Sequence, residues 1–219
     1  MKIFAPDGFL ARTLNRTGDL IILNLLTIIC CLPVVTAGAA ITALYSVTLC
    51  MVKNEEGHVA AGYMRAFKEN FCQATVLWLG AAAVIAILTG DIYLLKGTAS
   101  AGLEVYRGGL IFLLVLVLMV VSYLFPVLAR YENTLKNTVK NAFLFCMVHP
   151  VRSLMMILIF SIPAACLCIS YRFISVLVLA GISGPVFLAS MYYRSVFQKY
   201  AREEREVSKK FIKEEEILL

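Results

Sequence analysis

The chain has 219 residues, of which 61% are hydrophobic and only 16% charged, and its formal net charge is +6. Soluble domains average about 45–50% apolar and about 25% charged residues, so this composition excludes an ordinary soluble domain. Polar residues cluster between long apolar blocks, which excludes an outer-membrane barrel, and no basic stretch is long enough to fold as a nucleic-acid-binding domain. The composition therefore predicts an all-α, polytopic helical membrane protein.

The first apolar run extends from Leu20 to Val52 without a charge and is interrupted by Pro33 and Gly38. A bilayer core needs about 20 helical residues, so the run is too long for one span and too short for two full ones. Counting basic residues on each side favours a re-entrant hairpin, which keeps the N-terminal Lys and Arg residues inside. Each hairpin arm would be only about 20 Å long, shorter than the bilayer core, so we prefer the single broken helix.

Four later segments are predicted to be transmembrane helices, which makes about five in all. Basic residues concentrate on one side of these segments and in the tail, which places the C-terminus in the cytoplasm but leaves the side of the N-terminus open. Pro163 and Pro185 lie inside the last two helices and predict kinks. We expect a single membrane domain over residues 1–202 and a charged cytoplasmic tail over 203–219. The four segments are Ala74–Leu95, Gly108–Ala129, Ser153–Tyr171 and Phe173–Tyr193.

Two loops between the spans have the spacing of amphipathic helices. In the first loop, Tyr63, Phe67 and Phe71 recur every four residues, so we expect an interfacial helix that turns into the next span. These three aromatic side chains are candidates for contact with a partner. The third loop carries a stripe of asparagines, whose ordinary interpretation is a solvated face and whose alternative is a polar seam for a partner. The shared plan of the two loops suggests a parallel repeat. The stripe consists of Asn133, Asn137 and Asn141.

No motif with useful specificity for catalysis is present, and the cysteines and two histidines lack metal-ligand spacing. We therefore expect no enzyme activity, no cofactor and no metal. Polar residues at or near membrane depth, together with the break, are candidates for substrate binding or for a structural interruption. These candidates are Asp19, Asn24, Pro33, Thr36, Gly38 and Asp91.

Several ordered blocks over residues 4–195 resemble the YesL-like family of small bacterial membrane proteins: GDLIILNLLTIICCLPVVTAGAAITALYSV, EEG, FKENFCQATVLWL and PVLARYENTLKNTVKNAF followed by HP. The resemblance implies a multi-pass protein of the bacterial cytoplasmic membrane, with about five spans. It also implies a gene often located beside sugar-uptake transporters, but it supplies no catalytic residues. The matched positions are candidates for defining the fold: Asp19, Asn24, Pro33, Thr36, Gly38, Tyr45, Asn70, Pro126 and Arg130.

Two functions follow as hypotheses. The first is an accessory or regulatory component of carbohydrate uptake, whose cytoplasmic helices contact a sugar transporter or a membrane sensor subunit. The second is a small-solute transporter or channel with a polar break from Pro33 to Gly38. The expected partners are the lipid bilayer, such a transporter or sensor, and a second copy of the chain, with no nucleic acid.

Overall fold

The computed structural model describes residues 9–53, 57–97, 101–131, 134–148, 150–169, 181–191 and 193. Within these ranges every regular element is helical, which confirms the predicted fold class. Four helices are long and apolar enough to cross a membrane, and a bent helix pair raises the number to five. The elements are α1 (Phe9–Cys31), a 3-10 turn (Val34–Thr36), α2 (Ala37–Lys53), α3 (Val59–Leu94), α4 (Ala101–Arg130), α5 (Leu135–Val148), α6 (Pro150–Ile169) and a helical segment, residues 183–191.

Helices α1 and α2 form an antiparallel hairpin. The Arg16 guanidinium lies 3.4 Å from the carbonyl oxygen of Met51, although 35 positions separate the two residues. A single broken span would hold these residues about 50 Å apart at 1.5 Å per residue. The preference for one broken span is therefore wrong, and the chain returns at the break to the side from which it came.

Helix α3 is continuous over its 36 residues, from Val59 to Leu94. At 1.5 Å per residue it is about 54 Å long, well beyond the roughly 30 Å of a bilayer core. The predicted turn between the amphipathic loop helix and the span is therefore absent. The junction KENFCQA contains neither Pro nor Gly, and Lys, Glu, Gln and Ala in it are good helix formers, so nothing there ends the helix.

Helices α3 and α4 form a second hairpin, which extends past the tip of the first. The tip of the α1–α2 hairpin lies beside Trp78, and α3 continues for 16 more residues, about 24 Å. The α3 end of the connection contains Gly97, whose φ of 96° lies in the left-handed region that favours glycine. In this outer part Leu88 and Leu110 are buried, while most neighbouring side chains are exposed.

Helix α5 joins α6 at a bend of 104°. Pro150 begins α6, where its missing N–H removes no helical hydrogen bond, and it disfavours helical backbone at the preceding residue. The first loop helix instead runs straight into α3, so the two units differ at this junction. Most of the second unit's hairpin lies outside the described residues, and the parallel repeat stays a prediction.

The last two predicted spans are only partly described. Helix α6 covers the span from Ser153 as far as Ile169 and continues through Pro163. Of the last predicted span, the structure describes residues 181–191 and 193. Pro185 is the third residue of the helical segment 183–191, so it lies in the first turn, where a missing N–H does not produce the predicted kink.

The core lies where α2 is enclosed by α1, α3, α4 and the segment 183–191. Most of α2 is buried, from Gly38 to Val52. Many of these side chains are small, such as Ala and Thr, and small side chains allow the neighbouring helices to approach closely. The hydroxyl oxygens of Thr48 and Ser190 lie 2.7 Å apart and join α2 to the last helical segment. The second half of the first apolar run is thus the centre of the bundle.

Candidate functional site

The break between α1 and α2 makes its own hydrogen bonds. The Thr36 hydroxyl lies 2.6 Å from the carbonyl oxygen of Cys30 and 2.8 Å from that of Pro33, so it can donate to either. The indole N–H of Trp78 donates to the carbonyl oxygen of Val34 at 2.8 Å. These contacts satisfy carbonyl groups that a helix end leaves without partners. The backbone of the break is therefore held by the protein.

Gly38 is the point of closest approach between α2 and α3. A Cβ atom at this position would lie 2.5 Å from the Cβ atom of Trp78 and 2.6 Å from the backbone oxygen of Ala74. Such distances are far below van der Waals contact, and the Ala74 oxygen is part of the helix and cannot rotate away. Glycine at position 38 thus allows the packing that brings Trp78 to the hairpin tip.

Asn24 lies away from the break and is fully buried. Its side-chain oxygen accepts hydrogen bonds from the backbone N–H groups of Ile182 and Ser183, at 2.9 and 3.0 Å. Ile182 lies just before the helical segment 183–191, and Ser183 is its first residue. Asn24, on α1, therefore caps the start of this segment by accepting hydrogen bonds from its free N–H groups. The predicted polar residue has a structural role here.

The two predicted carboxylates do not join the break. Asp19 is half-buried on α1, twelve residues or about 18 Å before the helix ends. Asp91 is half-buried near the far end of α3. The Lys96 ammonium, close to Asp91 in the sequence, lies over the ring of Tyr93 at 5.7 Å from its centroid. Asp19, Asp91 and the break thus form no common site.

The aromatic stripe of α3 packs mainly inside the protein. Tyr63 is fully buried, and its hydroxyl donates to the carbonyl oxygen of Ala40 at 3.3 Å. Phe67 packs against the core and stacks on Tyr63, with ring centroids 6.4 Å apart. Phe71 is exposed and meets Phe67 edge to face. Tyr63 is therefore not available to a partner, because the α1–α2 hairpin already covers it, and its prediction as a partner contact is wrong.

The asparagine stripe lies on and before α5. Asn133 is outside the described residues, Asn137 is exposed, and Asn141 is half-buried. The same helix exposes an apolar stripe at four-residue spacing: Val139, Phe143 and Met147, each between 42% and 48% exposed.

A cluster of three tyrosines in the core was not predicted as a unit. The rings of Tyr45 and Tyr123 each meet Tyr193 edge to face, with centroids 5.9 and 5.2 Å apart. The Tyr193 hydroxyl donates to the carbonyl oxygen of Ser122 at 2.6 Å. The Tyr45 hydroxyl is buried beside Tyr193. A tyrosine inside an apolar run is the sequence signal that could have drawn attention to this cluster.

A cavity of about 360 Å³ lies beside Tyr45, between α2, α3, α4 and α6. Nearly all of the lining atoms are apolar. In the part of the chain that the structure describes, no three His, Cys, Asp or Glu side chains are grouped closely enough to hold a metal ion. The lining residues are Ile41, Tyr45, Trp78, Leu118, Val121, Ser122, Phe125, Ile157, Phe160 and Ser161.

The long apolar helices and the buried hairpin define a helical protein of the multi-pass membrane type. Residues 20–92, which include the break, α2 and Trp78, match the family described as "Protein of unknown function, DUF624". This family contains the YesL-like proteins, so over residues 20–92, one third of the chain, the match is consistent with the family resemblance noted from the sequence. No curated protein and no solved structure matches the chain.

Proposed function

We propose that this protein is an accessory component of carbohydrate uptake, which docks a transporter or a membrane sensor through α5. The observation that carries the proposal is the exposed apolar stripe of this helix, Val139, Phe143 and Met147. An apolar stripe at four-residue spacing is the surface that another helix or the lipid interface covers. The restriction to carbohydrate uptake rests on the family resemblance.

The surroundings of the stripe favour a partner that carries acidic side chains. A groove of about 570 Å³ runs between α5 and Val120 of α4, and Lys136 and Lys140 lie along it. Both lysines are exposed, so their charges are available to an incoming segment. Complementary charge of this kind speeds association and selects the partner more than it adds affinity.

The alternative of a small-solute transporter has less support. The carbonyl groups of Cys30, Pro33 and Val34 already accept hydrogen bonds within the protein. Leu32, Val34 and Val35, which flank the break, expose apolar side chains. A path for a polar solute needs polar groups that face it, and this surface lacks them.

We also propose that the protein is a component of the bacterial cytoplasmic membrane with its C-terminus in the cytoplasm. The antiparallel hairpin supports this proposal, since the start of α1 would then lie on the cytoplasmic side, in agreement with the basic residues of both ends. Helix α5 would lie at the cytoplasmic surface, where a soluble domain or a juxtamembrane helix of the partner can reach it.

Photo-crosslinking in native membranes tests the docking surface. A benzoylphenylalanine replaces Phe143 in one protein and Phe112, an exposed residue in the outer half of α4, in a control. We expect position 143 alone to capture a transporter or sensor subunit, identified by mass spectrometry, and charge reversal of Lys136 and Lys140 to reduce the capture several-fold. Equal capture at both positions, or repeated recovery of the protein without such a subunit, would contradict the proposal.

A further inference from the structure

The groove along α5 is positively charged as well as apolar. Lys136 and Lys140 are the only charged side chains of this helix, and both are exposed. They lie one helical turn apart, and the other residues that line the groove are apolar. An occupant that fits must therefore present apolar side chains flanked by carboxylates. The apolar lining residues are Val120, Leu135, Val139 and Phe143.

The described part of the chain stops close to α5. Tyr193 is the last residue that the structure describes. Its ring meets Tyr123 edge to face, and Tyr123 stacks on Phe145 of α5, with centroids 5.2 and 6.3 Å apart. The groove lies on another face of the same helix, which is about 10–12 Å across. Residues 194–202 span up to about 30 Å when extended, so the chain that follows them can reach the groove.

The sequence of residues 203–218 has the side chains that the groove requires. At about 100° per residue, its apolar residues at positions i, i+4 and i+11 share one side of a helix. Four of its six glutamates lie within about 60° of the centre of that side, and three of its four basic residues lie on the opposite side. The apolar residues are Val207, Phe211 and Leu218, the four glutamates are Glu203, Glu204, Glu214 and Glu215, and the three basic residues are Arg205, Lys209 and Lys213.

We propose that residues 203–218, the tail segment, bind the α5 groove of their own chain as a helix. The apolar side of the segment covers Val139 and Phe143, and its glutamates lie beside Lys136 and Lys140. The short connection from the bundle raises the effective concentration of the segment at the groove, which favours its own chain over a second copy.

The bound tail segment occupies the surface that a transporter or sensor subunit would need. It therefore competes with that subunit, so the protein docks its partner only when the segment leaves the groove. This competition rests on the function proposed above, whereas the contact between the tail segment and α5 does not. The two can be tested separately.

Photo-crosslinking in the purified full-length protein tests the contact without any partner. Benzoylphenylalanine replaces Phe143 in one protein and Phe112, exposed in the outer half of α4, in a control. Isotopically heavy and light protein are mixed and reconstituted in phosphatidylcholine vesicles, so that mass spectrometry distinguishes a crosslink within one chain from a crosslink between two copies. We expect position 143 to crosslink to the tail segment of the same chain and position 112 not to do so.

Two pairs of glutamate substitutions separate a specific contact from a general effect of charge. Glu214→Lys with Glu215→Lys should lower the crosslink yield at least about 3-fold, since two exposed ion pairs are lost. Glu206→Lys with Glu216→Lys is the matched control, because it changes the net charge equally on the side that faces away from the groove. This second pair should leave the yield unchanged.

A charge swap tests the lysines as the partners of these glutamates. Lys136→Glu with Lys140→Glu should lower the yield by itself, as like charges then face each other. Combined with Glu214→Lys and Glu215→Lys it should restore the yield, because the charges are again complementary. Recovery by the swap also shows that the single reversals did not simply unfold the protein.

Three results would overturn the inference: no crosslink to the tail segment, an equal loss with both glutamate pairs, or crosslinks that join heavy and light chains at random. The last result would mean that a second copy fills the groove. In native membranes, Glu214→Lys with Glu215→Lys should raise capture of a transporter or sensor subunit at position 143. A tail crosslink without a captured subunit contradicts the proposed function alone, and a captured subunit without a tail crosslink contradicts this inference alone.

Discussion

The two helical hairpins of this protein are built in opposite ways. The tip of the α1–α2 hairpin packs against α3, where Trp78 bonds the break and Gly38 permits close contact. The outer part of the α3–α4 hairpin is covered mainly by its own two helices and exposes side chains such as Leu94 and Val105, which are 79% and 78% exposed. The first hairpin is thus held by specific contacts, and the second relies on its apolar surface and the surrounding lipid. Substitutions of the same kind should therefore cost much more in the first hairpin.

The largest difference should appear at glycine. We expect Gly38→Ala to lower the free energy of unfolding by at least about 1–3 kcal/mol, because its Cβ would overlap Trp78 and the backbone of Ala74. Gly90→Ala, in the second hairpin, should be neutral or slightly stabilising, since nothing lies within 4 Å of its added Cβ. SDS titration in mixed micelles measures both. Equal losses would show that the tip is not closely packed.

The next contrast concerns polar side chains. Asn24→Ala removes an acceptor from two buried N–H groups and should cost about 1–3 kcal/mol. Asp91→Ala is the control in the second hairpin, where the side chain is half-buried and makes no hydrogen bond within residues 57–97 that the structure describes. The same titration should show a change of less than about 0.5 kcal/mol for Asp91→Ala. A larger loss of unfolding free energy for Asp91→Ala than for Asn24→Ala would contradict the structural role assigned to Asn24.

Trp78→Phe tests the bond that holds the hairpin tip. The substitution keeps an aromatic ring but removes the N–H donor, so we expect a loss of about 1 kcal/mol. Tyr93→Phe removes a hydroxyl from an exposed ring of the second hairpin and should change the midpoint of SDS unfolding very little. A Trp78→Phe protein as stable as the wild type would mean that this hydrogen bond does not stabilise the tip.

The smallest effect is expected for the hydroxyl pair between α2 and the last helical segment. A double-mutant cycle of Thr48→Val and Ser190→Ala should give a coupling of about 0.6 kcal/mol, the average for hydrogen bonds between membrane helices. A parallel cycle that pairs Ser190→Ala with Thr89→Val should give no coupling. A coupling energy of zero between Thr48 and Ser190 would show that this contact does not stabilise the protein.

Sequence reasoning predicted the parts of this fold that depend on composition and periodicity. The helical class, most of α3 and α4, the amphipathic character of α5 and the interruption at Pro33 all follow from such patterns. The path of the first run does not, because an apolar segment of that length is compatible with one crossing or with a return. Contacts with a third helix, through Trp78, decide between the two.

The roles of individual side chains were harder to predict for a related reason. In a membrane protein both lipid and neighbouring helices accept an apolar face, so spacing alone could not tell that Tyr63 is buried and that Phe143 is exposed. Asn24 was predicted as a polar candidate, but its role depends on Ile182 and Ser183, more than 150 residues later in the chain. The cluster of Tyr45, Tyr123 and Tyr193 likewise forms only when the helices are assembled.

The central claim is that the first apolar run returns on itself, and a distance between its two ends tests this claim most directly. Spin labels are attached at positions 15 and 50, which are both exposed, in a variant without other cysteines, and pulsed electron–electron double resonance is recorded in lipid vesicles. Antiparallel helices whose axes lie about 8–10 Å apart predict a label separation below about 25 Å. A single crossing predicts about 50 Å, the length of 35 helical residues, and that result would contradict the account.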